Sequence, residues 1–171
     1  MKTLYLIGGT MGVGKTTVSQ QLKKELTNSV FLDGDWCWDM HPFQVNPETK
    51  QMVLDNICCL LNNFLRCSCL RHIIFCWVMD QQSILDEILS RLDTTGWQVL
   101  PVSLVCSREA LCKRLQQDVS REKRSAGIFI RSPERLPRYA GLQTRKLDVS
   151  NLTPQETADR LAAMSAAPGA T

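Results

Sequence analysis

Only two histidines occur in this 171-residue sequence, and its eight cysteines include no C-x-x-C spacing. A structural zinc site of the usual pattern is therefore not expected. His41 and His72 lie in unrelated contexts and neither is paired with a plausible nucleophile, so serine or cysteine nucleophilic catalysis has no support. No stretch approaches the roughly 20 apolar residues that cross a bilayer. The opening "MKTLYLIGG" reaches glycine too soon to serve as a secretion signal. The expectation is a protein of the reducing cytosol. The cysteines at 58, 59, 67, 69, 76, 106 and 112 sit in apolar runs and would stay reduced. A net charge of +3 argues against a nucleic-acid partner, and no repeat or second domain is visible. The chain is expected to be a monomer or dimer.

What is present alternates strand and helix patterns. "TLYLIG" (3–8), "SVFLD" (29–33), "HIIFCWVM" (72–79), "WQVLPVSLVC" (97–106) and "KLDVS" (146–150) read as strands, the fourth weakened in its first half by Pro101. Val18, Leu22 and Leu26 recur at four-residue spacing and make a helix from Lys15. Asn46 and Pro47 open another helix. Ser107 caps a further one, and "TPQE" (153–156) is a capping box for the last. Such alternation implies a parallel sheet covered on both faces, with ligands beyond the carboxyl ends of the strands.

After the first strand comes "GGTMGVGKTT", which obeys G-x-x-x-x-G-K-[ST] through Gly9, Gly14, Lys15 and Thr16. Gly9, Gly12 and Gly14, with Val13 between the last two, let successive main-chain N–H groups point inward. The helix that follows adds its positive end. Lys15 would meet the β- and γ-phosphates, Thr16 a magnesium ion, and Thr17 the α-phosphate. The second strand then ends in "VFLDGDWCWDM". In extended backbone, Asp33 and Asp35 would share one face at the edge that carries the phosphate loop. Phosphoryl transfer needs a base near the acceptor hydroxyl and carboxylates for magnesium, and two aspartates could divide that work. Trp36 and Trp38, with His41 and Phe43, either line an acceptor pocket or fill the core beneath it.

"GGTMGVGKTT" and "LDGDWCW" together resemble the small P-loop kinases, the group of shikimate kinase, gluconate kinase, chloramphenicol phosphotransferase and the nucleoside monophosphate kinases. The resemblance implies a three-layer P-loop NTPase fold over residues 1–165, with a five-stranded parallel sheet of order 2-3-1-4-5 and helices on both faces. It also implies a short basic lid at about 121–140, leaving 166–171 as a tail. Asp33 would assist magnesium and Asp35 would contact the acceptor hydroxyl as base. Asp80, after the third strand, competes with Asp33 for the metal and equally suits the cap of the next helix. Between Arg121 and Lys146 stand eight Lys or Arg against two Glu. In a kinase lid, Arg121, Arg124, Arg131, Arg135 and Arg138 are candidates to meet the transferring phosphoryl group, with Arg121 foremost. "SPERLPRY" reads as a short helix capped by Ser132, presenting Arg135 and Arg138.

The resulting expectation is an ATP- and Mg2+-dependent phosphotransferase with a small-molecule acceptor, a nucleoside or nucleotide being favoured by the tryptophans. Catalysis would rest on Lys15, Asp35 and Arg121. The alternatives are a nucleotide-binding switch and, against the mild charge, a polynucleotide 5′-hydroxyl kinase.

Overall fold

Leu4 and Leu6 leave strand β1 (Lys2–Gly8) on one side, Tyr5 and Ile7 on the other, and the two sets seed two halves of a core. The period-two alternation of a strand makes this division, and covering both sides requires helices on both. The computed structural model describes the backbone of residues 1–120 and 128–166 and the side chains of 1–117 and 131–166. Its sheet adds β2 (Ser29–Asp33), β3 (His72–Trp77), β4 (Trp97–Val105) and β5 (Arg145–Asp148), in the order β2-β3-β1-β4-β5 and parallel throughout. This is the expected order.

Helices α1 (Lys15–Glu25) and α6 (Pro154–Ala166) cover one face, where Val18, Leu22, Ala158 and Leu161 meet Tyr5, Ile7 and Ile74. Helices α2 (Pro47–Arg66) and α3 (Gln82–Ser90) cover the other, with Val53, Ile57, Leu61, Leu85 and Ile88 against Leu4, Leu6, Ile73 and Phe75. Helix α4 (Arg108–Ser120) brings Leu111 and Leu115 beneath Met11 of the loop after β1. Short α5 (Ile128–Arg135) and a 3-10 turn (Leu136–Tyr139) follow it.

The read caps hold. Asn46 accepts from Thr49 N at 2.9 Å, Ser107 from Ala110 N at 3.1 Å, and Thr153 exchanges bonds with Glu156. Pro101 is accommodated inside β4 because it pairs with Leu6 of β1, whereas pairing to β5 starts only at Val102. It sits where β4 has a single neighbour, so no ladder bond is lost on the second side.

Candidate active site

The loop joining β1 to α1 lies at the carboxyl end of the sheet. Gly12 and Gly14 adopt φ of 82° and 107°, a region that L side chains rarely enter. A Cβ on Gly12 would come within 2.3 Å of Leu115 Cδ2, so α4 presses the loop from behind. A Cβ on Gly14 would meet nothing within 4 Å, so that side is open. The first turn of α1 carries no acidic residue of its own and its cap makes no side-chain bond, so its positive end faces the loop. Lys15 Nζ reaches back to Thr10 O at 3.1 Å. Together these make an anion cradle.

Thr16 Oγ1 donates to Asp33 Oδ2 at 2.6 Å, joining the cradle to the end of β2. Asp33 is buried and its other oxygen accepts from Asp35 N at 3.1 Å, which caps a 3-10 helix over Gly34–Trp38. Here the structure departs from the sequence reading. The backbone leaves extended geometry at Gly34, so Asp35 stands in the first turn of the 3-10 helix instead of on the face of the strand. Trp77, which the sequence offered only as part of a core strand, donates Nε1–H to Asp35 Oδ1 at 3.1 Å. A Cβ on Gly34 would lie 2.5 Å from the Trp77 ring, so glycine there is what admits the indole.

Asp80 does not cap α3, which starts at Gln82 with Gln81 in the cap position. Its buried carboxylate instead receives Arg138 at 2.9 Å and Arg135 at 3.6 Å. Those two arginines are brought together as expected, but onto a carboxylate. Buried Cys76 lies behind the cradle, its thiol pushed up to about 12 by burial and then by the charge of Asp33, so it stays neutral.

The two tryptophans divide. Trp36 is 55% exposed and meets Phe31 edge-on at 5.2 Å, on the α1 side of the sheet. Trp38 joins the core on the α2 side, lies 6.4 Å from Trp77 and 5.6 Å from Phe43, and bonds Gln44 O through Nε1 at 3.0 Å. They do not line one surface. Trp38 anchors the exposed stretch that holds His41 and Phe43.

The basic segment is partly visible. Arg121 and Arg124 lie outside the described residues, and Arg131 is exposed. Ser132 does not cap a helix: α5 begins at Ile128 and Ser132 lies inside it, ahead of Pro133. Its role is tertiary. Buried Thr10 donates Oγ1–H to Ser132 O at 2.8 Å, and Ser132 Oγ donates to Met11 O. The ring of fully buried Tyr139 packs over Gly8, a Cβ on which would sit 3.6 Å from Cε1. Burial, then the charge of Asp80, raises the Tyr139 phenol. No local motif gives Thr10, Ser132 and Tyr139 these roles. Only their contacts across more than 120 residues of chain, as between Thr10 and Ser132, reveal them.

Beyond the cradle opens a cavity of about 390 Å3, bounded by Gly12–Val18, Arg114, Gln117, Val149, Leu152, Pro154 and Thr157. Arg114 Nη1 donates to Val13 O at 3.1 Å and its other nitrogen to Val149 O, so two carbonyls orient the guanidinium. Arg114 was invisible to sequence reasoning, being one more cation on an amphipathic helix.

A glycine-rich loop between a first parallel strand and a helix, with Lys15 and Thr16 at its end, defines a P-loop nucleotide-binding fold. Residues 6–135 match the AAA domain family, and the chain belongs to that family. No curated protein matches it. Among solved structures it is similar to the tunicamycin resistance protein of Deinococcus radiodurans, at 20% identity and a TM-score of 0.71, covering 99% of this chain and 100% of that one. A gluconokinase from Sinorhizobium meliloti 1021 matches at 15% identity and 0.67, covering 96% and 94%. Shikimate kinase from Acinetobacter baumannii, in complex with shikimate, matches at 18% and 0.59, covering 97% and 93%. The fold is that of the small P-loop kinases.

Proposed function

We propose that this protein transfers the γ-phosphoryl group of ATP, with magnesium, to a hydroxyl of a small molecule. The observation that carries the reading is the bonded chain Thr16–Asp33–Asp35, which ties the anion cradle to a second acidic residue two positions further on. The cradle amides and Lys15 would hold the triphosphate, and the 390 Å3 cavity flanked by Arg114 and Pro154 would take the nucleoside. The paired oxygens of Thr16 and Asp33 suit a hard cation that takes oxygen ligands, and the engagement of Asp80 by two arginines favours Asp33 for that task. Bound magnesium would neutralise phosphate charge during transfer.

Asp35, oriented by Trp77, would accept the proton of the acceptor hydroxyl. The acceptor oxygen then bonds to the γ-phosphorus as the bond to the bridging oxygen breaks, and ADP leaves. Arg121 remains our candidate for charge neutralisation from the lid. The Trp77 indole against Asp35, with Trp38 6.4 Å from it, supports an acceptor with a ring or other apolar body, such as a nucleoside. The test is phosphorus NMR of ATP and magnesium with a panel of nucleosides, sugars and amino alcohols. A phosphorylated product lost in Asp35→Asn, with ATP binding retained, is expected; ATP binding without transfer to any acceptor would sink the reading. A nucleotide switch is favoured by one feature, the wiring of the loop to α5 through Thr10 and Ser132. An ATP affinity far above that for ADP, without turnover, would support it.

A further inference from the structure

Helix α2 stops at Arg66, and the turn into β3 is held by Cys67 N–H to Phe64 O at 3.0 Å, Leu70 N–H to Cys67 O at 3.3 Å and Arg71 N–H to Asn28 O at 2.8 Å. Within this turn Cys67 Sγ and Cys69 Sγ stand 3.2 Å apart. Cys67 is half-buried and Cys69 exposed, so both can be reached from solvent. By contrast Cys58 and Cys76 are buried, and burial pushes both thiols up. The turn lies at the amino ends of the strands, since His72 opens β3, whereas the phosphate cradle lies at their carboxyl ends.

We propose that Cys67 and Cys69 form a reversible dithiol–disulfide centre that reacts with low-molecular-weight disulfides such as oxidised glutathione. Two sulfurs already in contact on a bonded turn need only small side-chain rotation to join, so little chain entropy is lost on closure. The bond between them also divides the labour. The hydrogen bond from Cys69, aided by the charge of Lys2, holds the Cys67 thiol below its usual range, and the same bond, with the negative charge it leaves on Cys67, raises Cys69. Cys67 is thus the attacking thiolate and Cys69 the resolving thiol.

The Cys67 thiolate attacks one sulfur of the external disulfide. That S–S bond breaks, a thiolate leaves and takes up a proton, and a mixed disulfide remains on Cys67. Cys69 then loses its proton and attacks Cys67 Sγ, expelling the second external thiol. The protein gives up two electrons and two protons, and the external disulfide becomes two thiols. The inference is independent of the phosphotransfer reading.

The full-length chain is incubated with oxidised glutathione, quenched with an alkylating agent, cut with trypsin and weighed. Cleavage after Arg66 and Arg71 releases Cys67–Arg71, which contains both thiols. The expected product is this peptide lighter by two hydrogens and unalkylated, formed about tenfold faster than the exposed Cys59 reacts, as a more thiolate-like group should. Reduced glutathione should reverse it. Cys69→Ser should stop at a glutathione adduct on Cys67. Wild-type peptide that stays doubly alkylated while Cys59 has reacted overturns the proposal. So does a stable glutathione adduct in the wild type without ring closure.

Discussion

Asp33→Asn and Asp80→Asn should do different damage, because one carboxylate is bonded to the phosphate loop and the other to two arginines. Asp33 is 5% exposed and receives Thr16 at 2.6 Å. With magnesium held by this pair, removing the charge forfeits one ionic oxygen contact, about 1.5–3 kcal/mol. The magnesium concentration that half-saturates ATP binding should then rise about 10- to 100-fold. Asp80 is equally buried, but its partners Arg135 and Arg138 are 36% and 51% exposed. After Asp80→Asn they can turn to water, and solvent screening reduces what the pairs contribute, leaving about 1–2 kcal/mol of lost stability. For a chain of this size that is about 3–6 °C in Tm. Magnesium dependence should be unchanged. Calorimetric ATP titrations at graded magnesium, with thermal melts of both variants, separate the outcomes. A larger magnesium shift in Asp80→Asn than in Asp33→Asn would refute the assignment.

Three further changes probe the scaffold. Gly12→Ala combines a left-handed residue, about 1–2 kcal/mol, with overpacking against Leu115, about 1–3 kcal/mol. Urea unfolding should show a loss of about 2–5 kcal/mol, and Leu115→Ala should cost less in the Gly12→Ala background than alone, since the clash is then relieved; a loss below about 0.5 kcal/mol for Gly12→Ala would contradict the geometry. Trp77→Phe keeps a ring against Gly34 but removes the donor to Asp35. Steady-state kinetics should show acceptor turnover falling about tenfold with ATP affinity intact, and reduced ATP affinity would count against the positioning role. Burial, the N-terminal amine and Arg71 all hold the His72 imidazole below its ordinary 6.5. As pH falls through that value the unfolded chain takes up the proton first, so stability drops from there down to the lower folded value. Urea melts at pH about 7.5 and about 5.5 should show a drop that His72→Gln diminishes, and an equal drop in the variant would exclude this origin.

Local patterns carried much of this molecule. The apolar run "TLYLIG", the capping residues Asn46, Ser107 and Thr153, and the glycine spacing of the loop each act within a few residues, and each appears in the fold where it was read. Sheet order followed from resemblance to a known layout, since periodicity alone cannot say which strands are neighbours. The misreadings share another cause. Asp35, Asp80 and Ser132 were assigned by local rules, extended spacing for the first and capping for the other two. Partners that approach from remote segments define them instead: Trp77 for Asp35, Arg135 and Arg138 for Asp80, Thr10 for Ser132.

The sequence by itself determined that a polyphosphate cradle sits after the first strand of a parallel sheet, because glycine spacing and a helix start are short-range properties of the chain. Only the tertiary structure decided which carboxylate bonds to that cradle, which tryptophan bonds to Asp35, and what Arg135 and Arg138 grip. Those are contacts between distant segments, where burial and charge pairing outweigh any local preference.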